Sequence, residues 1–182
     1  MHNGTAKDAA VETLKLVCTA LCNQPDQLGI VVEYSGESAS CIAIRCSSSD
    51  RGRLIGSKGE HFRALRTITA AIGATRRHEV KLREVLPAPG PAIQRRLPPY
   101  RFNPKWPQAS VMSVLRYTCE AIFNCECEVL VQQLATSAIL LVYPSKVPSL
   151  ELHGLVLEPV GKIFAAIGLS HGCELLVDIK SY

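Results

Sequence analysis

Apolar and polar residues in the first half of the chain recur with two periods, which predict alternating helices and strands. Two long segments carry apolar residues at helical spacing, residues 8–23 and Glu60–Ile72. Three shorter segments have the β-branched or alternating pattern of strands: Gly29–Tyr34, Cys41–Cys46 and Glu79–Val85. A brief helix over residues 51–55 completes the predicted order helix, strand, strand, helix, helix, strand.

The second half repeats this pattern. Its predicted helices cover residues 108–124 and 158–167, and its predicted strands cover residues 126–131, 138–143 and 174–179. The four residues Ala70–Gly73 recur as Ala165–Gly168, an offset of 95 residues. The same offset aligns apolar residues of the two helices: Phe62 with Leu157, Leu65 with Val160, and Ile68 with Ile163. Ile42 and Ile44 of a strand match Ile139 and Leu141 at an offset of 97. The chain is therefore predicted to contain two related units.

A proline-rich linker is predicted between the units. Seven prolines fall between Pro87 and Pro107, so this segment should be stiff and extended. The predicted boundaries are thus 1–86, 87–107 and 108–182. The linker interleaves four bases with three aromatic residues: Arg95, Arg96, Arg101, Lys105, Tyr100, Phe102 and Trp106. These aromatics could stack on nucleobases or dock on the adjacent domain, with Trp106 packing at the start of the next helix.

Composition predicts a cytoplasmic protein without a membrane span. The chain has 182 residues, is 47% hydrophobic and carries a net charge of +4. It lacks a run of about 18 apolar residues, and Met1–Ala10 is polar. The eight cysteines lack the paired spacing of a zinc site, so we expect reduced thiols that pack as small hydrophobes. No cofactor or metal is expected.

Basic residues concentrate in one part of the chain. Between Arg51 and Arg83 there are nine bases and only two acids, Glu60 and Glu79. Such a patch favours a polyanionic partner, and a merely solvated face is the alternative.

The segment Asp50–Gly59 lies within this patch and has the composition of a tight turn between two helices. Asp50 is predicted to cap the brief helix. Gly56 and Gly59 interrupt the helices and permit unusual φ values. Amides at the start of the next helix lack intrahelical partners and can bind a phosphate oxygen, next to the Lys58 ammonium.

Gly56-Ser57-Lys58-Gly59, followed by Glu-His-Phe-Arg-Ala-Leu-Arg, resembles the GxxG segment of KH domains, which clamps four backbone nucleotides. Residues 7–86 are similar along their length to the small bacterial single-KH RNA-binding proteins. That family usually has a base where this chain has Glu60, which should weaken phosphate binding. The resemblance implies an αββααβ fold, with a three-stranded sheet and helices on one face, and a cytoplasmic RNA-binding protein, often with a KH-containing partner.

The expected ligand is single-stranded RNA, and single-stranded DNA is a second candidate. Phosphates would contact the amides near Ser57, Lys58 and Gly59. Bases would lie in an apolar groove with Leu54, Ile55 and Ile44 as its floor, although one of Leu54 and Ile55 should belong to the core. The predicted RNA-binding residues are Arg53, Leu54, Ile55, Gly56, Ser57, Lys58, Gly59, Arg63 and Arg66. Arg76 and Arg77 are weaker candidates and could be merely solvated.

The second unit is predicted to be a KH-like domain without a phosphate loop. The offset of 95 places the turn on Glu151-Leu152-His153-Gly154, where a carboxylate replaces the first glycine. A different function is therefore open: protein interaction or homodimerisation, with the KH-like domains as a scaffold. An enzyme is a third candidate, but the histidines are scattered and no nucleotide-binding loop or zinc motif is present.

Overall fold

The computed structural model describes residues 4–87, 109–134 and 137–180, and the predicted linker lies almost wholly outside them. The first unit consists of α1 (Ala6–Leu21), β1 (Gly29–Ser35), β2 (Ala39–Cys46), α2 (Ser48–Ile55), α3 (Glu60–Ala74) and β3 (Glu79–Pro87). The second consists of α4 (Ala109–Phe123), β4 (Cys127–Gln133), β5 (Ser137–Pro144), α5 (Leu150–His171) and β6 (Glu174–Ile179). The chain thus contains two α+β units, as predicted.

Each unit has a three-stranded mixed sheet. The middle strand, β2 or β5, pairs antiparallel with the strand before it and parallel with the last strand of its unit. Helices cover one face of each sheet. Side chains on that face are buried, such as Val80 and Leu82 of β3, whereas the intervening Lys81 is exposed.

The start of α2 differs from the prediction. Ser47 rather than Asp50 caps this helix, and its hydroxyl accepts from the Asp50 amide. The Asp50 carboxylate is fully buried, and it accepts from the Asn23 amide at 2.8 Å, the Gln24 amide at 2.9 Å and the Ser47 hydroxyl at 3.0 Å. Asp50 therefore anchors the segment after α1 to the start of α2, because a buried carboxylate needs several donors.

One strand match between the units is wrong by a residue. Ala39 pairs with Glu79 in the first sheet, and Ser137 pairs with Glu174 in the second. The final strands are 95 residues apart, so the middle strands are 98 apart rather than 97. The side chains equivalent to Ile42 and Ile44 are consequently the fully buried Leu140 and Val142. Ile139 and Leu141 point to the other face, since a shift of one residue exchanges the faces of a strand.

Helix α5 is longer than predicted. It begins after the Ser149 cap, eight residues before the predicted start, and continues through Pro159 to His171. The residues equivalent to the turn of the first unit, Glu151–Gly154, therefore lie inside a helix. The second unit keeps the sheet of the first but has one helix in place of α2, the turn and α3.

Two equivalent glycines place α3 and α5 directly against their sheets. Helix α3 continues two residues past the predicted Ile72, to Ala74, so Gly73 lies inside it. A Cβ on Gly73 would overlap the His78 carbonyl oxygen, and a Cβ on Gly168 would overlap the Cys173 carbonyl oxygen. Gly168 and Cys173 each lie 95 residues after their counterparts Gly73 and His78, and this agreement supports the repeat independently of secondary structure.

The units pack through their helices, and the pairs in contact are those expected of an approximate two-fold relation. Helix α3 contacts its counterpart α5, and α1 contacts α4. The exchanged pairs, α1 with α5 and α3 with α4, are also in contact. Arg76, just after α3, donates from Nη1 to the Ala121 carbonyl near the end of α4. This arrangement is that of an isologous interface formed within one chain.

Of the described helices, only α5 is long and apolar enough to cross a bilayer by length and composition, with a mean hydropathy of 1.4. Five of its apolar residues are fully buried in the core, Val156, Val160, Ile163, Phe164 and Ile167, whereas Leu150, Leu155 and Leu169 are exposed. A core helix passes the same test, so α5 is weak evidence for a membrane span. The expected cytoplasmic location stays a prediction.

All eight cysteines are free, and five are buried: Cys18, Cys46, Cys119, Cys127 and Cys173. Burial raises the pKa of Cys22 to about 12 and that of Cys46 to about 11, with the Asp50 carboxylate adding to both shifts. These thiols are protonated and unreactive at neutral pH. The prediction that cysteines serve as small hydrophobes is confirmed for the five buried ones.

Candidate nucleic-acid interface

Three of the four residues in the turn between α2 and α3 have positive φ. Gly56 has φ 75° and ψ 175°, Lys58 has φ 50° and ψ 23°, and Gly59 has φ 78° and ψ 18°. A Cβ on Gly56 would lie 2.6 Å from Cγ of His61 and 2.8 Å from its backbone nitrogen. Glycine is therefore required at position 56 both by φ and by the close approach of α3.

His61 connects the two helices across this turn. Its Nδ1–H donates to the Arg53 carbonyl oxygen at 2.7 Å, near the end of α2. The Arg53 carbonyl is near the end of α2, where carbonyl groups lack intrahelical donors, and His61 in the first turn of α3 supplies one. The sequence showed His61 only as one of several scattered histidines, and its spacing from Arg53 carries no signal that would have revealed the contact.

The turn leaves two adjacent amides without protein acceptors. Gly56 N–H donates to Gly52 O at 2.8 Å, Gly59 N–H donates to Gly56 O at 3.2 Å, and Glu60 N–H donates to Ser57 O. Within the described part of the chain, the amides of Ser57 and Lys58 have no such partner. The available donors are thus at positions 57 and 58, and the amide of Gly59, which was also predicted to hold phosphate, is already used.

The predicted site residues divide by exposure. Ser57, Lys58, Arg63 and Arg66 are exposed, whereas Arg53, Ile55, Gly56 and Gly59 are partly buried. Leu54 and Ile44 are fully buried and belong to the core of the first unit. Of the three residues predicted to form the floor of a base groove, only Ile55 has surface available.

The nine bases between Arg51 and Arg83 do not form one patch. Arg76 lies at the contact between the two units. Lys81 and Arg83 are on the outer face of β3, where Lys81 pairs with Glu79 at 2.9 Å and Arg83 with Glu33 at 3.5 Å. Arg77 is exposed after the end of α3. Five cationic residues lie on α2, the turn and α3: Arg51, Arg53, Lys58, Arg63 and Arg66. The charge available to a ligand at the turn is accordingly smaller than the sequence count.

The described part of the second unit, residues 109–134 and 137–180, has no equivalent of this site. His153, which the repeat aligns with Lys58, is in the first turns of α5 and donates from Nε2 to the Ile179 carbonyl oxygen at 2.7 Å. The backbone at Glu151–Gly154 is helical, so amides that are free in the first unit are in a helix here. His153 therefore connects α5 to the end of β6.

The described residues contain no group of three or more His, Cys, Asp or Glu side chains arranged to hold a metal ion. The predicted site residues bring two free amides, one ammonium and three guanidinium groups to the turn and its two helices. Such groups bind phosphate and other anions.

Comparison with known proteins places this turn within a family. A family model described as the KhpA/KhpB KH domain matches residues 11–83. "RNA-binding protein KhpA" of Borreliella burgdorferi is 31% identical over 72 residues, which span 40% of this chain and 87% of that relative. The family match falls in the first unit, in agreement with the resemblance predicted for residues 7–86. The chain therefore belongs to the KhpA/KhpB family of KH-domain proteins.

Proposed function

We propose that the chain binds single-stranded RNA through the turn Gly56–Gly59 and does so without catalysis. The observation that carries this proposal is the pair of unpartnered amides at Ser57 and Lys58, exposed between two glycines of positive φ. The name of the similar Borreliella protein supports RNA as the ligand, since that protein is called RNA-binding.

A phosphate of the strand would accept from the amides of Ser57 and Lys58. The Lys58 ammonium and the exposed guanidinium groups of Arg63 and Arg66 would screen the neighbouring phosphates. Ile55 supplies the apolar contact for a base. Glu60 is partly buried at the start of α3, and its carboxylate opposes the phosphate there. Binding should therefore be modest and should depend strongly on salt.

The test replaces both residues of the turn by aspartate. In S57D/K58D, two carboxylates would occupy the phosphate position, and affinity for a fluorescein-labelled single-stranded RNA should fall on the order of tenfold or more. Fluorescence anisotropy at fixed salt measures this fall. In the wild type, log affinity against log salt should have a slope of about −0.7 for each phosphate contacted.

A matched control exists in the second unit, where Ser145 and Lys146 are the same two residue types and are both exposed. S145D/K146D makes an identical change in net charge far from the turn in sequence. Its affinity should stay within about twofold of the wild type. Equal losses in the two double variants would show that total charge, not the turn, determines binding.

A second candidate function has one observation in its favour. The outer face of the sheet of the second unit is apolar, where Leu130 is adjacent to Leu141 and Ile139 to Leu176. Leu130 and Leu176 are 45% and 48% exposed. Such a face suits homodimerisation. Light scattering of the full chain across a concentration series distinguishes the cases, because a monomer at all concentrations contradicts dimerisation and leaves RNA binding unaffected.

A further inference from the structure

A cleft separates the turn of the first unit from the second half of α5. Its volume is about 580 Å³. The first unit contributes Leu21, Arg53, Ser57, Glu60 and His61, and α5 contributes Lys162, Ala165, Ala166, Leu169 and Ser170. The volume falls within the range of roughly 300–1,000 Å³ that small-molecule sites occupy. The turn is thus one wall of a larger space whose other wall belongs to the second unit.

Each wall of this cleft includes one basic residue. Basic groups, Arg53 and Lys162, face it from the two units. Lys162 is 45% exposed, and its Nζ lies 2.6 Å from Oε1 of Glu158, one helical turn earlier. The one carboxylate among the lining residues is that of Glu60. Leu169 on α5 is 64% exposed, although it is a large apolar side chain at the edge of the cleft.

We propose that this cleft holds one nucleotide of the bound strand, so that the second unit forms part of the RNA site. This inference rests on the proposed function of the turn. The phosphate contacts the amides of Ser57 and Lys58, with the Lys162 ammonium on its other side. The base contacts Leu169 and Ala165, and His61 offers an aromatic ring of the kind on which unstacked bases are held.

The charge of the cleft favours a nucleotide over an apolar peptide segment. An apolar segment would desolvate the Lys162–Glu158 ion pair and would offer Arg53 no anion, and both effects are costly. A nucleotide places its phosphate among these cations and its base on the apolar wall. The degenerate second unit thereby has a role although it lacks a phosphate loop of its own.

The first test compares two lysines of the second unit. K162Q removes the cation that faces the cleft, and K146Q removes an exposed lysine from the loop before α5. We expect K162Q to weaken binding of the labelled RNA about threefold to tenfold, the range for one partly screened charge contact. The salt slope of K162Q should be smaller in magnitude by about 0.7, because one phosphate contact is lost. K146Q should leave affinity and slope unchanged.

The loss in K162Q could also arise from Glu158, which the substitution leaves without its cation. E158Q/K162Q removes both charges and keeps the net charge of the chain. If the lysine contacts phosphate, this double variant binds as weakly as K162Q. Wild-type affinity in the double variant would overturn the inference.

The second test fills the cleft. A165W places an indole in it, and A74W places the same side chain at the exposed end of α3. We expect A165W to weaken RNA binding at least about fivefold, because the indole displaces the base from the side chains that it contacts. A74W should bind like the wild type. Thermal unfolding of all variants verifies that each is folded.

Failure of the inference differs from failure of the proposed function. If S57D/K58D loses binding while K162Q and A165W match their controls, the turn binds RNA and the cleft does not take part. If S57D/K58D binds like S145D/K146D, both proposals are overturned.

Discussion

Lys58 concentrates backbone strain at the tip of the turn. It is one of three non-glycine residues with positive φ in the described chain, and it lies between Gly56 and Gly59, which also have positive φ. A left-handed conformation costs an ordinary residue about 1–2 kcal/mol, and such costs gather at functional sites. The glycine pair was visible in the sequence. The conformation of Lys58 was not, because lysine has no preference that signals it.

Gly56 is the residue whose replacement should damage the turn most. G56A would introduce strain at φ 75° and a Cβ 2.6 Å from the ring of His61. We expect a loss of about 2 kcal/mol or more in the free energy of unfolding, together with loss of RNA binding. Urea denaturation and fluorescence anisotropy measure the two effects.

The control for this variant is four residues away. Gly52 lies inside α2, and a Cβ there would contact nothing within 4 Å. G52A should therefore stabilise the protein by about 0.5–1 kcal/mol and leave RNA binding intact. A G56A protein as stable as G52A would show that the close approach of His61 is not a constraint.

At the scale of elements, the sequence predicted the strands and the helices α1, α3 and α4 within two residues, but it began α2 three residues too late and missed the length of α5. Gly154, Pro159 and Gly161 all lie in α5 and all weaken helices in isolation. Packing of α5 against its own sheet and against α3 outweighs these preferences. The predicted offset of 97 for the middle strands was wrong because the loops between equivalent elements differ in length. No single offset therefore aligns the two units.

The equivalent glycines of α3 and α5 provide a test of the repeat. G73A and G168A each bring a Cβ into a backbone carbonyl oxygen of the following segment. Each should lower the free energy of unfolding by about 1–3 kcal/mol, the usual cost of overpacking. G161A, at an open position of α5, should instead stabilise by about 0.5–1 kcal/mol. Urea denaturation of the three variants suffices, and a G168A protein that behaves like G161A would contradict the structural equivalence.

At the scale of the whole molecule, residue patterns predicted two units but not how they meet. Periodicity identifies which side of a helix is apolar and does not say which neighbour covers it. The count of nine bases overestimated the positive charge at the turn for the same reason, since Arg83 and Arg76 have partners on β1 and α4 that are distant in sequence. The cleft beside the turn was equally hidden, because half of its lining comes from a helix about 100 residues away.

Arg76 tests the contact between the units. Its Nη1 donates to the carbonyl oxygens of Ala121 and Ile72, and partial burial lowers the pKa of its guanidinium. R76M keeps the aliphatic stem but leaves the Ala121 carbonyl without this donor, which should cost about 1–2 kcal/mol in the free energy of unfolding. The gain from removing a desolvated charge is smaller, since the side chain is only partly buried. R77M, at the exposed neighbouring position, should change stability by no more than about 0.5 kcal/mol.

RNA affinity should be nearly equal in the two variants, because each loses one positive charge and neither residue lies at the turn. A weaker affinity in R76M alone, with unchanged stability, would instead assign Arg76 to the RNA and not to the contact with α4.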